Sequence, residues 1–279
     1  MSCKSLDQAL RAFCIACAAG TTSALAVDPS LPSDALRMAT SYPIAMVEIP
    51  VEAAQTSSVV GALYEPMGEG PFPAVVLLSG CAGVNIDLRI FSGVNESYMP
   101  KGIATLVVDS FTPRGLAEVC SDTDLLMSSI AFRVQDVNAA VAWLAARPEI
   151  DSKRIYLQGY SHGAIAAIAA TDRRELQDQA PNIAGVIGFY PYCSEDTQFA
   201  VPTIILVGGQ DDWTPAKLCE GIIDKTNLDL TVYPDAEHAF ATPGLDLVYL
   251  GHRILYDPEA AADGQRRALE MIRGSEGEP

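Results

Sequence analysis

The feature that most constrains the fold is a strand, a tight turn and a helix within residues 154–170, RIYLQGYSHGAIAAIAA. The apolar residues 155–157 predict a short strand, and the small apolar residues after Ser161 predict a helix packed closely on a sheet. Gly159 and Gly163 flank the serine in a G-x-S-x-G pattern. Side chains at these two positions would collide with neighbouring elements at so sharp a turn. The pattern therefore predicts a nucleophilic serine, Ser161, held at the end of a strand.

Apolar runs that predict strands alternate with segments that predict helices along the rest of the chain. Antiparallel strands are predicted at 46–52 and 57–64, buried strands at 74–78, 104–108, 185–189, 203–207 and 229–233, and helices at 88–99, 128–147, 215–225 and 258–273. Such alternation predicts the α/β class, a mainly parallel twisted sheet with helices on both faces. Ligands of such sheets bind beyond the carboxyl ends of the strands, where Ser161 is expected.

A serine nucleophile needs a base to take its proton and a carboxylate to orient that base. The chain has three histidines. His238 is in a loop just past a predicted strand and late in the chain, as the order Ser, Asp, His requires. His162 directly follows Ser161, so its backbone N–H, rather than its ring, is expected to contribute to catalysis. His252 has no partner that the sequence identifies, so His238 is the predicted base.

The orienting carboxylate should follow the strand predicted at 203–207, where two aspartates are adjacent. We favour Asp211, because G-x-x-D with a proline four residues later fits a turn before a helix. Asp212 is then expected to cap that helix and stays the alternative acid. Asp235 and Glu237 flank the histidine and are expected to be solvated.

Acyl transfer also requires donors for the negative charge that develops on the carbonyl oxygen. The backbone N–H of His162 is one candidate. The second should come from the small-residue loop after the strand at 74–78, from either Cys81 or Ala82. No His/Cys cluster with metal-ligand spacing is present, so neither a metal nor another cofactor is predicted.

The N-terminus predicts export. Residues 1–26 combine basic Lys4 and Arg11 with an apolar stretch and a small-x-small sequence at 24–26, which predicts a signal peptide. The alternative is a frayed amphipathic helix. Residues 27–43 are then a linker and 44–279 the folded domain. No later apolar run is as long as the roughly 18 residues that a membrane-spanning helix requires.

Charge and cysteine content constrain partners and compartment. The net charge of −17 and pI of about 4.4 argue against nucleic acid or an anionic membrane surface as partner. Three of seven cysteines fall within residues 1–26. The remaining four are expected to pair in an oxidising compartment, and four cysteines allow three connectivities. They are Cys81, Cys120, Cys193 and Cys219.

Seven stretches between residues 71 and 240 together resemble the dienelactone hydrolase family of α/β hydrolases, in an exported branch with a serine nucleophile. They are PFPAVVLLSGCAG, VVDSFTPRG, RVQDVNAAVAWL, RIYLQGYSHG, GFYPYC, GGQDDWTPAKLC and YPDAEHAF. The resemblance implies the α/β-hydrolase fold and hydrolysis of a small-molecule carboxylic ester or lactone. Two residues depart from the family pattern. Ser161 stands where better-known members have cysteine, and Ser79 stands where histidine is common, which removes an orienting side chain.

The resemblance also implies disulfides Cys81–Cys120 and Cys193–Cys219, which would brace the rim of the pocket. A bridged Cys81 cannot be a nucleophile. Five residues are expected near the pocket: Phe111, Arg114, Tyr192, Trp213 and Phe240. Arg114 would either hold a substrate carboxylate or brace its loop through a salt bridge.

Two other readings stay open on the same fold. One is a non-catalytic binding protein, against which the complete set of Ser161, Asp211 and His238 argues. The other is a small peptidase.

Overall fold

The computed structural model describes residues 44–53, 55–174, 176 and 182–274. The predicted signal peptide and linker lie outside the described residues. Ten strands are assigned within them: β1 (Ile44–Ala53), β2 (Thr56–Tyr64), β3 (Phe72–Leu78), β4 (Ala104–Asp109), β5 (Ile150–Tyr160), β6 (Gly185–Phe189), β7 (Thr203–Gly208), β8 (Leu228–Tyr233), β9 (Asp246–Tyr249) and β10 (His252–Leu255).

Five α-helices are assigned within the same residues: α1 (Val84–Tyr98), α2 (Thr123–Ala145), α3 (His162–Ala169), α4 (Ala216–Glu220) and α5 (Pro258–Gly274). Short 3₁₀ turns follow α1 at Met99–Lys101 and precede α2 at Thr112–Arg114. Helix α2 begins at a cap in which the Asp122 side chain accepts from the backbone N–H of Leu125. In the described part of the chain, no helix is both long and apolar enough to cross a membrane.

Eight strands form one sheet in the order β1-β2-β4-β3-β5-β6-β7-β8. The first two pairings are antiparallel, and every pairing from β4 to β8 is parallel. The apolar runs of the sequence form the central strands, because only residues without charge can be buried on both faces. Strands β9 and β10 form a separate antiparallel hairpin.

Side-chain alternation along the strands divides the core into two layers. In β3, Val76 packs in one apolar layer and Val75 in the other, because successive side chains point to opposite faces. Helices α2, α3 and α4 cover the first layer, and α1 and α5 cover the second. The predicted fold class, a mainly parallel sheet with helices on both faces, is confirmed.

The elements differ from the sequence predictions in several places. Helix α1 begins at Val84 rather than at 88, and α2 begins at Thr123 rather than at 128. Strand β5 spans eleven residues rather than a short run, since β3 pairs with it at both ends. Helix α4 spans five residues and ends at Glu220, before Gly221, instead of continuing to Lys225, because glycine is a poor helix former. The β9–β10 hairpin was not predicted, since its exposed apolar residues, Val248 among them, follow no burial pattern.

Both disulfides that the resemblance implied are present, Cys81–Cys120 and Cys193–Cys219. The first joins the loop after β3 to the loop before α2. The second joins the loop after β6 to α4. Each bridge therefore ties together connections at the carboxyl ends of neighbouring strands.

Replacing Cys193 and Cys219 with serine should lower the free energy of unfolding by about 3–4 kcal/mol, because the unfolded chain gains the freedom of a loop of 26 residues. Urea denaturation monitored by circular dichroism measures this difference. Under reducing conditions the double variant and the unsubstituted protein should come closer in stability. A loss below about 1 kcal/mol under oxidising conditions would contradict the expectation.

Candidate active site

Ser161 lies between the end of β5 and the first residue of α3, with φ 50° and ψ −118°. This left-handed φ is unusual for a residue with a side chain, and neighbouring backbone must hold it there. A Cβ at Gly163 would lie 2.3 Å from the carbonyl oxygen of Leu78, and one at Gly159 would lie 2.4 Å from the carbonyl of Gly163. The N–H of Ser161 donates to the carbonyl of Phe189 at 2.8 Å. The two glycines therefore allow the sharp turn.

His238 joins Ser161 to Asp211. Its Nε2 is 3.1 Å from the Ser161 Oγ, and its Nδ1 is 2.7 Å from the Asp211 Oδ2. The loops that carry Asp211 and His238 meet where a Cβ at Gly208 would lie 2.3 Å from the carbonyl oxygen of Ala236. The structure thus brings the three predicted residues into one hydrogen-bonded line at the carboxyl end of the sheet.

The Asp211 carboxylate is buried and saturated with donors. Its Oδ1 accepts from the N–H groups of Trp213 and Thr214, and its Oδ2 also accepts from the Thr214 hydroxyl at 2.8 Å. Burial alone would raise the pKa of Asp211, but the hydrogen bonds from His238 and Thr214 hold it below its ordinary value. Asp211 is therefore an anion beside the imidazole.

Asp212 does not have the predicted capping role. The residue before α4 is Pro215, and no side chain caps that helix. The Asp212 side chain is 58% exposed and lies 3.0 Å from the Nδ1 of His252 on the hairpin. The turn at this point is held by Asp211 instead, because its own carboxylate binds the following N–H groups. The His252 partner could not be found from the sequence, since 40 residues separate the two side chains.

The loop after β3 runs beside Ser161. A Cβ at Gly80 would lie 3.7 Å from the Cβ of Ser161. The Gly80 N–H donates to the Asp87 Oδ2 at 2.6 Å. Within the described residues, the N–H groups of Cys81 and Ala82 have no hydrogen-bond acceptor. The N–H of His162, the first residue of α3, also lacks an intrahelical acceptor.

A buried guanidinium that the sequence analysis missed connects these two segments. Arg133, fully buried on α2, donates from Nη2 to the carbonyl of Ser79 at 2.8 Å and lies 2.7 Å from the Nδ1 of His162. The contact to Ser79 is with its main chain, so this loop is anchored without a histidine side chain. The sequence does indicate the special position of Arg133, because a charged residue there lies among the apolar positions of a helix.

The charge of Arg133 interacts with the charges of buried carboxylates. Burial lowers the pKa of Arg133 to about 10, and the charges of Asp136 and Asp87 oppose that change. Burial raises the pKa of Asp87 to about 6, against the hydrogen bond from Gly80 and the charge of Arg133. Removing one of these charged side chains would leave its partner buried without a compensating charge. Loss of any one of them is therefore expected to destabilise the fold.

The five predicted pocket residues have different positions. Trp213 is half-buried and packs on His238 with 5.0 Å between ring centroids. Tyr192 is exposed. Phe111 is buried with the Cys81–Cys120 bridge, and Phe240 has no exposed surface and belongs to the core.

Arg114 binds Asp136 through two hydrogen bonds of 2.9 and 2.8 Å, and its side chain is 2% exposed. Of the two roles expected for it, the geometry is that of the loop-bracing salt bridge.

One cavity, of about 330 Å³, opens beside the His238 loop and is lined by residues 235–237 and 255–259. Ser161 does not line it. Among the described residues, no group of three or more His, Cys, Asp or Glu side chains is arranged to hold a metal ion.

Residues 59–275 match the sequence profile of the dienelactone hydrolase family. The chain belongs to the dienelactone hydrolase family. The family is named for a hydrolase, and the mainly parallel sheet of this chain is the α/β-hydrolase fold.

A curated relative is Esterase FrsA of Enterobacter sp. (strain 638), 30% identical over 124 residues. The match covers 44% of this chain and 27% of that esterase, so the chain spans about a quarter of the relative's length.

Two solved structures have the same fold. A dienelactone hydrolase from Anabaena variabilis has a TM-score of 0.63 and 19% identity, with 84% of this chain and 99% of that chain covered. A protein described as m3DLH has a TM-score of 0.66 and 18% identity, with coverages of 83% and 98%. At these identities the likeness shows the fold.

The ring of His162 should stay neutral in acid. Burial and then the charge of Arg133 lower its pKa from 6.5 to about 3, although its Nε2–H donates to the Leu126 carbonyl at 2.8 Å. In NMR spectra of the folded protein we expect the neutral Nε2–H tautomer of His162 to persist to about pH 4.5.

The unfolded chain takes up a proton on this ring below about pH 6.5, and the folded chain does so only near pH 3. The contribution of His162 to stability is therefore lost as pH falls through this window. A protonation step of His162 in the folded protein with a midpoint above about pH 5 would contradict the assigned hydrogen bonds.

Proposed function

We propose that this protein is a serine hydrolase that cleaves carboxylic esters or lactones through an acyl-enzyme. The observation that carries the proposal is the line of hydrogen bonds from Ser161 through His238 to Asp211, of 3.1 and 2.7 Å. The names of the relatives, an esterase and a dienelactone hydrolase, support the same class of reaction. The small-molecule substrate needs no cofactor in this scheme.

In the first half-reaction the Ser161 Oγ attacks the ester carbonyl, and the Nε2 of His238 takes the hydroxyl proton. The imidazolium stays oriented because its Nδ1–H donates to the Asp211 carboxylate. The carbonyl π electrons move onto oxygen, and the N–H groups of His162 and of Cys81 or Ala82 are proposed to stabilise that oxyanion. Its collapse expels the alcohol oxygen, which takes the proton from Nε2.

In the second half-reaction water attacks the acyl-enzyme, with His238 again accepting a proton at Nε2. Collapse of the second tetrahedral intermediate breaks the bond to the Ser161 Oγ and returns that proton to it. The product is the carboxylic acid. With a lactone, the alcohol and the acid belong to one molecule.

The cysteines support serine as the nucleophile. All four cysteines in the described residues are in disulfides, so none of them has a free thiol. Cys81, beside the nucleophile, is bonded to Cys120 and can supply only its backbone.

We also propose that residues 1–26 are a signal peptide, that 27–43 are a linker, and that the protein is exported to the periplasm or the medium. The two disulfides support this location, because such bonds persist in oxidising compartments. The net charge of −17 further supports the absence of nucleic-acid partners.

Replacing Ser161 with alanine should lower turnover of a nitrophenyl ester by a factor of about 10³–10⁶, since the nucleophile is lost. Alanine also has a Cβ, so the substitution does not relieve the strain of the left-handed φ. The melting temperature should therefore stay close to that of the unsubstituted protein. Initial rates and thermal melts measure the two effects. Retention of more than about a tenth of the turnover would remove Ser161 as nucleophile.

Asparagine at 211 and asparagine at 212 should act differently. Asp211→Asn should lower turnover by orders of magnitude, because an amide favours the wrong imidazole tautomer. Asp212→Asn should cost less than about tenfold, since its partner is the surface residue His252. Steady-state kinetics on the same ester compares the two variants. If Asp212→Asn lowered turnover by orders of magnitude and Asp211→Asn did not, Asp212 rather than Asp211 would be the carboxylate that orients His238.

A further inference from the structure

The loop after β3 closes into a turn whose backbone is fixed by its own hydrogen bonds. The carbonyl of Gly80 accepts from the N–H of Gly83 at 3.2 Å, and the carbonyl of Cys81 accepts from the N–H of Val119 at 2.9 Å. Because a peptide unit is planar and trans, fixing its carbonyl also fixes the N–H on its opposite side. The two N–H groups at the centre of the turn, those of Cys81 and Ala82, therefore have set directions.

The peptide unit just before this turn is held at both ends. It consists of the carbonyl of Ser79 and the N–H of Gly80. The carbonyl accepts from the Nη2 of Arg133 at 2.8 Å, and the N–H donates to the Oδ2 of Asp87 at 2.6 Å. Hydrogen bonds to charged groups are stronger than those between neutral groups. The guanidinium and the carboxylate together resist rotation of this unit, which would move the turn with it.

Asp87 is a buried carboxylate that the proposed mechanism does not yet use. It lies in the first turn of α1 and is 7% exposed. Within the described residues its side chain accepts one hydrogen bond, that from Gly80. A buried carboxylate with a single such bond costs stability relative to an apolar side chain, so packing alone does not account for it.

The position of Asp87 relates it to the proposed reaction. A Cβ at Gly80 would lie 3.6 Å from the Asp87 Oδ2 and 3.7 Å from the Cβ of Ser161, so the carboxylate and the serine are both close to this glycine. Arg133 holds the other end of the same peptide unit. As an ion pair across that unit, Asp87 and Arg133 add no net charge beside a developing oxyanion.

We propose that Asp87 is a positioning residue for the oxyanion formed in ester hydrolysis. By holding the Gly80 N–H, it keeps the N–H groups of Cys81 and Ala82 directed at the carbonyl oxygen on which negative charge develops. Asp87 does not contact the substrate in this role. The inference rests on the proposed serine hydrolysis and adds a residue to it. Donors fixed in advance need no reorganisation during the reaction, and a displacement of about 1 Å removes much of their effect.

The test compares Asp87→Ala with Asp87→Asn in the full chain. Alanine removes the acceptor of the Gly80 N–H, whereas the amide oxygen of asparagine can accept from the same N–H. With nitrophenyl hexanoate we expect kcat/KM to fall about 10- to 100-fold in Asp87→Ala and to stay within about fivefold in Asp87→Asn. An equal loss in both variants, or a loss below about threefold in Asp87→Ala, would overturn the proposal.

Inhibition by trifluorooctanone distinguishes positioning from a loss of folded protein. The Ser161 Oγ bonds to the ketone carbon, the carbonyl π electrons move onto oxygen, and the hydroxyl proton passes to the Nε2 of His238. The Ki therefore reports how well the oxyanion is stabilised, whereas a smaller folded fraction lowers the rate and leaves Ki unchanged. In Asp87→Ala we expect Ki to rise by about the factor by which kcat/KM falls. The Ki of trifluorooctanol, which forms no oxyanion, should change less than about twofold.

Asn95→Ala is the matched control on the same helix. Asn95 is fully buried on α1, and its Oδ1 accepts from the Thr105 hydroxyl at 2.5 Å rather than from the loop after β3. This variant also removes a buried polar contact of α1, but it should leave the Ki of trifluorooctanone unchanged. If Asn95→Ala raises that Ki as far as Asp87→Ala does, the effect belongs to the helix and the positioning role is excluded.

The two levels of proposal fail differently in this experiment. If hydrolysis depends on Ser161 and Asp87→Ala leaves the Ki of trifluorooctanone unchanged, only the role of Asp87 is overturned. If Ser161→Ala hydrolyses nitrophenyl hexanoate as fast as the unsubstituted protein, the proposed function fails and the role of Asp87 fails with it.

Discussion

The contacts of the buried Arg133 guanidinium are the interaction on which the geometry around Ser161 depends. It binds the Ser79 carbonyl at the end of β3 and the ring of His162 at the start of α3. Transfer of a guanidinium from water to the interior is costly, and the nearby carboxylates of Asp87 and Asp136 offset that cost. Its two Nη atoms contact both segments at once, whereas its buried Nε has no hydrogen-bond partner among the described residues. The two backbone segments are consequently held at a fixed separation, as an oxyanion site requires.

The same region combines backbone contact with backbone strain. The carbonyl of Leu78 approaches Gly163 so closely that no side chain fits between them. This contact presses α3 against the end of β3 and keeps Ser161 at its left-handed φ. Sheet pairing supplies the rigidity, since β5 is hydrogen-bonded to β3 on one side and to β6 on the other. The strain at Ser161 is thus maintained by the centre of the sheet, where local opening is least frequent.

The sequence predicts the features whose cause is local and misses those that arise from contacts between distant segments. Buried strands were recognised because a strand covered on both faces must be continuously apolar. Ser161, Asp211 and His238 could be predicted to lie together because each follows a strand in a fixed chain order, and the structure brings them within hydrogen-bond distance.

The Asp212–His252 pair and the hairpin that carries it depend on a contact between residues 40 positions apart. Likewise, Phe240 lies close in sequence to His238 yet points into the core, since proximity along the chain does not fix side-chain direction. Arg133 was missed for a related reason, because its partners come from three separate elements.

The Cys81–Cys120 disulfide both holds the loop after β3 in place and removes the thiol of Cys81 from chemistry. Its side chain is bonded to Cys120, its carbonyl accepts from the N–H of Val119 at 2.9 Å, and the preceding N–H, that of Gly80, is held by Asp87. The side chain, the carbonyl and the preceding N–H are therefore held in place, while the Cys81 N–H itself has no acceptor in the described structure. A donor fixed in advance needs no reorganisation when charge develops on a carbonyl oxygen. Because the disulfide also occupies the thiol, Cys81 cannot compete with Ser161 for the proposed role of nucleophile.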